Sequence, residues 1–230
     1  MLIEAGMKCL SKGGITAFTI DNICREAGAS RGLVTHHFGS KDGLLAAIYT
    51  TMYDQLSQVG RQVPEDMSPI CALVESTFSA EVFNPGTLKI WLALWGEIAN
   101  SEALRAVHRR RYRDFLAEVA GTIADAAAER GRAVDAQGVA VMFVALGDGL
   151  WLEQGIDSTM LSLESARESC YRFLEAHLGP LPRAAPTRCA GQAPQAASAP
   201  ATRTGLAGTG PARTGAAGER VTGPDGAAIA

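Results

Sequence analysis

Thr19–Lys41 reads TIDNICREAGASRGLVTHHFGSK, and this stretch decides how the N-terminal region folds. Its apolar residues recur at helical spacing on both sides of a glycine, which predicts two short helices, 20–27 and 31–38, with a turn at Gly28. Thr19 and Ser30 are the predicted N-caps. The residues that face outward from the second helix are small, polar or hydrogen-bonding: Ser30, Arg31, Gly32, Thr35, His36 and His37. Such a surface suits a helix that lies in the major groove of DNA, so the stretch predicts a helix-turn-helix.

The same stretch resembles the TetR family of bacterial transcriptional regulators. The matching positions are Phe18, Thr19, Ile20, Ile23, Ala27, Gly28, Ser30, Gly32, His37, Phe38, Lys41 and Leu44. The resemblance implies a homodimer whose two reading helices bind a palindromic operator of double-stranded DNA. It also implies a transcriptional repressor that a small-molecule effector releases from the operator.

Individual residues of this region have expected roles in binding DNA. Lys41 directly follows the reading helix, where its point charge can meet a phosphate. Arg31 and Thr35 lie one helical turn apart, so Arg31 can bind a guanine and Thr35 a base edge or a thymine methyl. In the family, the position of His37 mostly holds an aromatic residue that contacts phosphate, and His36 is expected to contact the groove or the backbone. Thr19, Ser30 and Gly32 complete the expected set, although ordinary solvent exposure remains the alternative for each of them.

The remaining chain shows helical patterns and no sustained strand alternation, which predicts an all-α protein. The first domain would be a three-helix helix-turn-helix unit at 1–45, and a helical bundle at 46–179 would bind the ligand and form the dimer. The predicted helices outside the reading motif are 2–12, 41–60, 70–83, 87–99, 102–130, 135–154 and 160–178. From 180 to 230 Ala, Gly and Pro dominate, with no aromatic residue and no lysine, so a disordered tail is predicted.

Composition limits the location and the kind of site. The formal charge is −3, so DNA affinity must come from a local patch of placed groups. Five scattered cysteines suggest no zinc site and no disulfide framework, and they indicate a reduced, cytoplasmic protein without a cofactor. No apolar run approaches the roughly twenty residues that span a bilayer, so no membrane partner is expected. Met1 lies inside the first predicted helix, which in the resembling family begins earlier and follows a basic arm, so either the start codon is assigned too late, which is the favoured interpretation, or the arm is missing.

Four residues of the second half form a candidate ligand site. Trp91 and Trp95 are four residues apart on one helix face, and Asp148 lies three residues before Trp151 on another. Aromatic faces with one carboxylate are what a quaternary ammonium ligand needs, through cation–π attraction and a countercharge. Tryptophans at helical spacing are, however, more often ordinary core residues.

A second resemblance bears on this site. Lys89–Ala99 and Ala145–Leu152 resemble the C-terminal domain of the betaine-pathway repressors of the BetI type, in which choline controls repression. This resemblance implies a choline-like effector. Regulators of unrelated transport or catabolic operons share the domain class, so a non-cationic ligand is the alternative.

The last two predicted helices suggest a four-helix dimer interface. Its candidate residues are Met142, Phe143, Leu146, Phe173 and Leu174, of which some must face the core of their own subunit. Two His side chains adjacent on a helix diverge by about 100° and cannot easily chelate one ion, so no metal is expected. No catalytic triad, nucleotide loop or metal-ligand spacing is present, so the protein is predicted not to be an enzyme. A helical scaffold without DNA binding remains an alternative.

Overall fold

The computed structural model of the chain describes residues 1–182, and these fold into nine α-helices without a strand. In order they are α1 (Leu2–Ala17), α2 (Ile20–Ala27), α3 (Arg31–Phe38), α4 (Lys41–Arg61), α5 (Pro69–Thr77), α6 (Pro85–Asn100), α7 (Glu102–Glu129), α8 (Ala136–Ile156) and α9 (Leu163–Leu178). The all-α prediction is confirmed. Most of the tail predicted to be disordered, residues 183–230, lies outside the described residues.

Two predicted helix ends can be compared with the structure. The bounds of α1 extend to Ala17, but the backbone is non-helical at Gly13 and at Gly14, where φ is 60°, so the regular helix is interrupted at the glycine pair that was predicted to end it. α5 stops at Thr77 rather than at 83, and in the turn that follows the ring centroids of Phe78 and Phe83 lie 6.2 Å apart. Residues five apart on a helix point in widely different directions, so this contact requires a turn.

The helix-turn-helix region has a small core of its own that positions α3. Phe18, Ile23, Val34 and Leu44 come from α1 to α4 or the segments between them, and each is at most 1% exposed. α4 then runs on from this core and packs against α5 and α7. One continuous helix therefore connects the reading motif to the body of the protein.

α8 packs against α7 and α9 in the body of the protein. By length and composition alone it could cross a membrane, with 21 residues and a mean hydropathy of 1.3, so the sequence expectation that no apolar run is long enough was wrong. The core helix of a soluble protein passes the same test. Phe143 and Leu174, both candidates for the dimer interface, lie in the core of their own subunit at 2% and 0% exposure. Met142 stays 47% exposed.

Ordered packing continues past the end of α9. Leu181 is buried at 7% exposure, and its backbone N–H donates to the Glu175 carboxylate at 3.2 Å. The Cys71 thiol donates to the carbonyl oxygen of Pro182 at 3.4 Å. The first residues of the segment predicted to be disordered, from Pro180, are therefore part of the packed body.

Candidate DNA-reading surface and ligand cavity

Local capping fixes the geometry of the helix-turn-helix. The Thr19 hydroxyl accepts a hydrogen bond from the backbone N–H of Asn22 at 3.2 Å, as its assignment as an N-cap predicts. Gly28 ends α2 in the left-handed conformation, with φ of 61°, which glycine adopts at the lowest cost. The turn between α2 and α3 is thus set by residues within the motif itself.

The structure brings the predicted DNA-binding residues of α3 together on one exposed surface. The exposed residues are Ser30, Arg31, Gly32, Thr35, His36 and His37. Val34 faces the interior at 1% exposure. Thr19 is also exposed, and Lys41 is half-buried at the first position of α4. The geometry is that of a helix presented to a groove, but whether each residue contacts DNA stays a prediction.

Arg31 has a partner that the sequence did not reveal. Its guanidinium forms an ion pair with the Asp21 carboxylate of α2, and both side chains are more than half exposed. Exposed ion pairs contribute about 0–1 kcal/mol, so DNA phosphates or bases can displace this one. The two residues are ten apart in different helices, and only the packing of α2 against α3 brings them together.

Gly32 is not required by packing within the protein. A Cβ atom there would meet only the Ser30 hydroxyl oxygen at 3.9 Å, which is ordinary van der Waals contact. Glycine in a helix interior costs about 1 kcal/mol relative to alanine. A glycine with free space around it, at the centre of the exposed face, leaves room for a close approach of DNA to the helix backbone.

Trp91, Trp95, Asp148 and Trp151 all line one cavity of about 80 Å³ in the body. The sequence had paired them only within helices, and the structure brings α6 and α8 together around the cavity. Trp91 and Trp151 are also nearly buried, at 5% and 6% exposure, so the core interpretation and the cavity interpretation both hold for them.

The aromatic wall of the cavity is larger than the sequence indicated. The ring centroid of Tyr53 on α4 lies 5.3 Å from that of Trp91, and the two planes are nearly perpendicular. Trp95 lies 5.8 Å from Trp91, and Phe115 lies 5.7 Å from Tyr53. Sequence reasoning missed Tyr53 and Phe115, which no helical spacing links to the tryptophans.

Asp148 supplies the carboxylate of this cavity. Its side chain is open to solvent on one side, while surrounding protein atoms displace water from the rest and raise the pKa of the carboxyl to about 6. Among the described residues no Lys, Arg or His lies within ion-pair distance of it. At neutral pH the cavity therefore holds a mainly ionised carboxylate without a countercharge.

A hydrogen bond behind the cavity links two helices. The Tyr49 hydroxyl of α4 and the Nδ1 atom of His108 on α7 are 2.6 Å apart. Burial raises the pKa of Tyr49 to about 12 and lowers the pKa of His108, which favours a hydrogen bond between two neutral groups. In the wall itself, the Trp151 indole nitrogen is buried without a hydrogen-bond partner among the described residues.

Comparison with known proteins identifies both halves of the chain. Residues 2–48 match the family of bacterial regulatory proteins of the tetR type, and residues 70–179 match the BetI-type transcriptional repressor C-terminal domain. The HTH-type transcriptional regulator BetI of Rhizobium meliloti is 30% identical over 184 residues, which cover 77% of this chain and 87% of that protein. BetI 2 of Chromohalobacter salexigens is also 30% identical and is covered to 85%.

Solved structures agree with this assignment. A transcriptional regulator from Pseudomonas aeruginosa PAO1 shares 34% identity and a TM-score of 0.65, over 76% of this chain and 87% of that one. A regulator from Saccharomonospora viridis, solved in complex with choline, shares the fold at 21% identity with a TM-score of 0.63, over 76% of this chain and 93% of that one. The family consists of transcriptional regulators, which are normally not enzymes. The chain is therefore a transcriptional repressor of the TetR family with a C-terminal domain of the BetI type.

Proposed function

We propose that this repressor binds a palindromic operator as a homodimer and that a small organic cation of the choline type releases it. The DNA-binding domain is 1–45, the ligand-binding and dimerisation domain is 46–179, and the protein acts in the cytoplasm. The observation that carries the ligand assignment is the unpaired Asp148 carboxylate inside an aromatic cavity. Ionised carboxylates in such surroundings are costly without a countercharge, and a cationic ligand supplies one.

The size of the cavity supports a compact ligand. The cavity has a volume of about 80 Å³ and is enclosed mainly by large aromatic and aliphatic side chains. Compact quaternary ammonium ions have no N–H donors and rely on aromatic faces and charge. The buried Trp151 N–H is a donor that a hydroxyl oxygen of the ligand can satisfy.

For DNA, the proposed contacts are those of Thr19, Ser30, Arg31, Gly32, Thr35, His36, His37 and Lys41. Exposure of the whole α3 face supports them, as does the free space beside Gly32. Two copies of α3 related by a two-fold axis would lie about 34 Å apart, which is one turn of B-DNA.

The proposed dimer interface is the outer face of α8 and α9. Val141 and Met142 are adjacent apolar residues of α8 that are 42% and 47% exposed. Leu146 and Phe173 are half-buried beside them. A second copy of the same face would bury these side chains.

α4 is the element through which the ligand would act on DNA binding. Tyr53 and Leu56 of α4 line the cavity, and Lys41 begins the same helix at the reading motif. A ligand that binds more tightly to the conformation with α4 in one position than to the conformation with α4 in another changes the spacing of the two reading helices. A ligand with equal affinity for the two conformations would not change their populations.

The ligand half of the proposal is tested by measuring operator binding in the presence of choline. Choline should weaken binding of the purified protein to a palindrome upstream of its own or a neighbouring gene, as measured by fluorescence anisotropy. Asp148→Asn should abolish this response, whereas Asp125→Asn, an exposed carboxylate of α7 outside the cavity, should keep it. Release by choline that persists in Asp148→Asn would contradict the assignment of this carboxylate.

The DNA half is tested at Gly32. Gly32→Leu should keep or slightly raise the melting temperature, since the helix gains propensity, and should lose operator binding because the side chain occupies the space needed by DNA. Gly96→Leu is the matched control, because Gly96 is also an exposed helical glycine with no neighbouring atom within 4 Å of a Cβ. Undiminished operator binding by Gly32→Leu would contradict a close approach of DNA at Gly32, whereas a wild-type protein that binds no operator would favour the helical scaffold.

A regulator of an unrelated transport or catabolic operon is the second candidate. Apolar residues make up most of the cavity wall, which would also hold a neutral ligand. A ligand whose affinity is the same for the wild type and Asp148→Asn would establish this alternative.

A further inference from the structure

A second cavity, of about 280 Å³, adjoins the first one between α4 and α6. Leu56, Val82 and Trp91 belong to the walls of both cavities. The second cavity is larger than the first and lies beyond these three residues. A ligand that passes between Leu56 and Val82 can occupy both.

The chemistry of the second cavity differs from that of the first. Its polar wall residues are Gln55, Gln58, Gln62, Glu81 and Thr87. The Glu81 side chain is exposed, and no ion pair holds its carboxylate within the described residues. No lysine or arginine lines either cavity.

The combined site therefore has an unpaired carboxylate in each cavity and an apolar segment between them. Asp148 lies in the aromatic cavity, Glu81 lies in the glutamine-lined cavity, and Leu56 and Val82 separate the two. The Glu81 carboxylate and the amide oxygens attract the charge of an ammonium group electrostatically, as the aromatic rings do in the first cavity. No lysine or arginine among the described residues is present there to pair with an anionic tail, and the Glu81 carboxylate would repel one.

We propose that the effector of this protein is an elongated dication, in which an apolar chain joins two ammonium groups, one held by Asp148 and the aromatic rings and the other by Glu81 and the glutamines. This proposal rests on the assignment of the Asp148 cavity as the effector site and goes beyond it by naming the second half of the ligand. A choline-sized ion fills only the smaller cavity. The longer ligand removes further apolar surface from water at Leu56 and Val82 and gains a second charge pair.

The test compares ligands of different length by isothermal titration calorimetry on the full-length protein at low ionic strength. The probes are choline, bis-trimethylammonium alkanes with two or ten methylene groups, and spermidine. The ten-methylene dication should bind at least about tenfold more tightly than choline, from the added methylene burial and the second charge. The two-methylene dication buries fewer methylene groups at Leu56 and Val82, so it should gain less over choline than the ten-methylene dication does.

Glu81→Gln isolates the second charge, since the two side chains have nearly the same shape. It should weaken binding of the ten-methylene dication by about two- to fivefold, as expected for an exposed charge pair, and leave choline binding unchanged. Glu97→Gln on α6, which lines neither cavity, should change neither affinity.

Several outcomes overturn the proposal. It fails if the long dication binds no more tightly than choline, or if Glu81→Gln leaves the long dication unaffected or weakens choline equally. If choline still binds in that case and Asp148→Asn removes its binding, the cationic effector site stands and only the second half of the ligand is wrong. If neither choline nor any dication binds, both proposals fall.

Discussion

The affinity of the cavity for choline should fall about tenfold when the pH is lowered from 7 to 5. The Asp148 carboxyl has a pKa raised to about 6 by burial, so about nine-tenths of the molecules carry the negative charge at pH 7 and about one-tenth at pH 5. If only the ionised form attracts the cation, the apparent dissociation constant rises in proportion to the loss of that form. The change should be steepest near pH 6 and level off above pH 7.

Other titrating groups near the cavity do not reproduce this profile. Tyr49 has a pKa of about 12, and burial raises the pKa of Tyr53 and Tyr112 as well, so these phenols stay neutral from pH 5 to 8. The pKa of His108 is lowered by burial and by Arg109, which places its protonation at the acid end of the range. Protonation of His108 would add positive charge on α7 and would weaken cation binding further only at the lowest pH.

The measurement is the quenching of tryptophan fluorescence by choline at pH steps from 5 to 8, with Trp91, Trp95 and Trp151 as the reporters. Asp148→Asn is the control, and its weaker affinity should be nearly independent of pH between 6 and 8. A wild-type affinity that is equal at pH 5 and pH 7 would refute the reasoning, because the carboxylate would then contribute nothing to binding.

Three further predictions concern stability, assembly and DNA. Asp148→Asn should raise the melting temperature of the free protein at pH 7, because the desolvated ionised carboxylate of the wild type destabilises the fold there. Below the ordinary pKa of 3.8 the substitution should not stabilise the protein, because Asp148 is then protonated in both the folded and the unfolded state. Equal melting temperatures of the two proteins at pH 7 would contradict the desolvation of this carboxylate. Met142→Glu should give a monomer by light scattering, with unchanged helical content by circular dichroism, because it places a charge at the proposed interface; a persistent dimer would exclude that interface. Lys41→Ala should weaken binding to all DNA sequences and reduce the slope of log affinity against log salt concentration by about 0.9 per subunit, and an unchanged slope would count against a phosphate contact.

The features of the fold that the sequence predicted correctly depend on interactions between residues close together in the chain. The caps at Thr19 and Gly28, the bounds of α2 and α3, and the exposed set from Ser30 to His37 all depend on residues within one or two helical turns of each other. Capping hydrogen bonds and helical periodicity act at that range, so the reading motif could be located from the residue pattern. The same signals misplaced the end of α5, where the chain turns after Thr77 although the apolar pattern continues to Phe83.

The features that depend on contacts between different helices could be seen only in the tertiary structure. Sequence could place Trp91 and Trp95 on one face and Asp148 and Trp151 on another, but only packing brings both faces to one cavity and adds Tyr53 and Phe115. Packing likewise assigned Phe143 and Leu174 to the subunit core, and it paired Arg31 with Asp21. An apolar helix face looks the same in sequence whether it packs against its own chain or a second copy, because the hydrophobic effect is not directional. The sequence by itself therefore determined the fold class and the reading helix, and only the spatial arrangement decided what surrounds the carboxylate in the cavity.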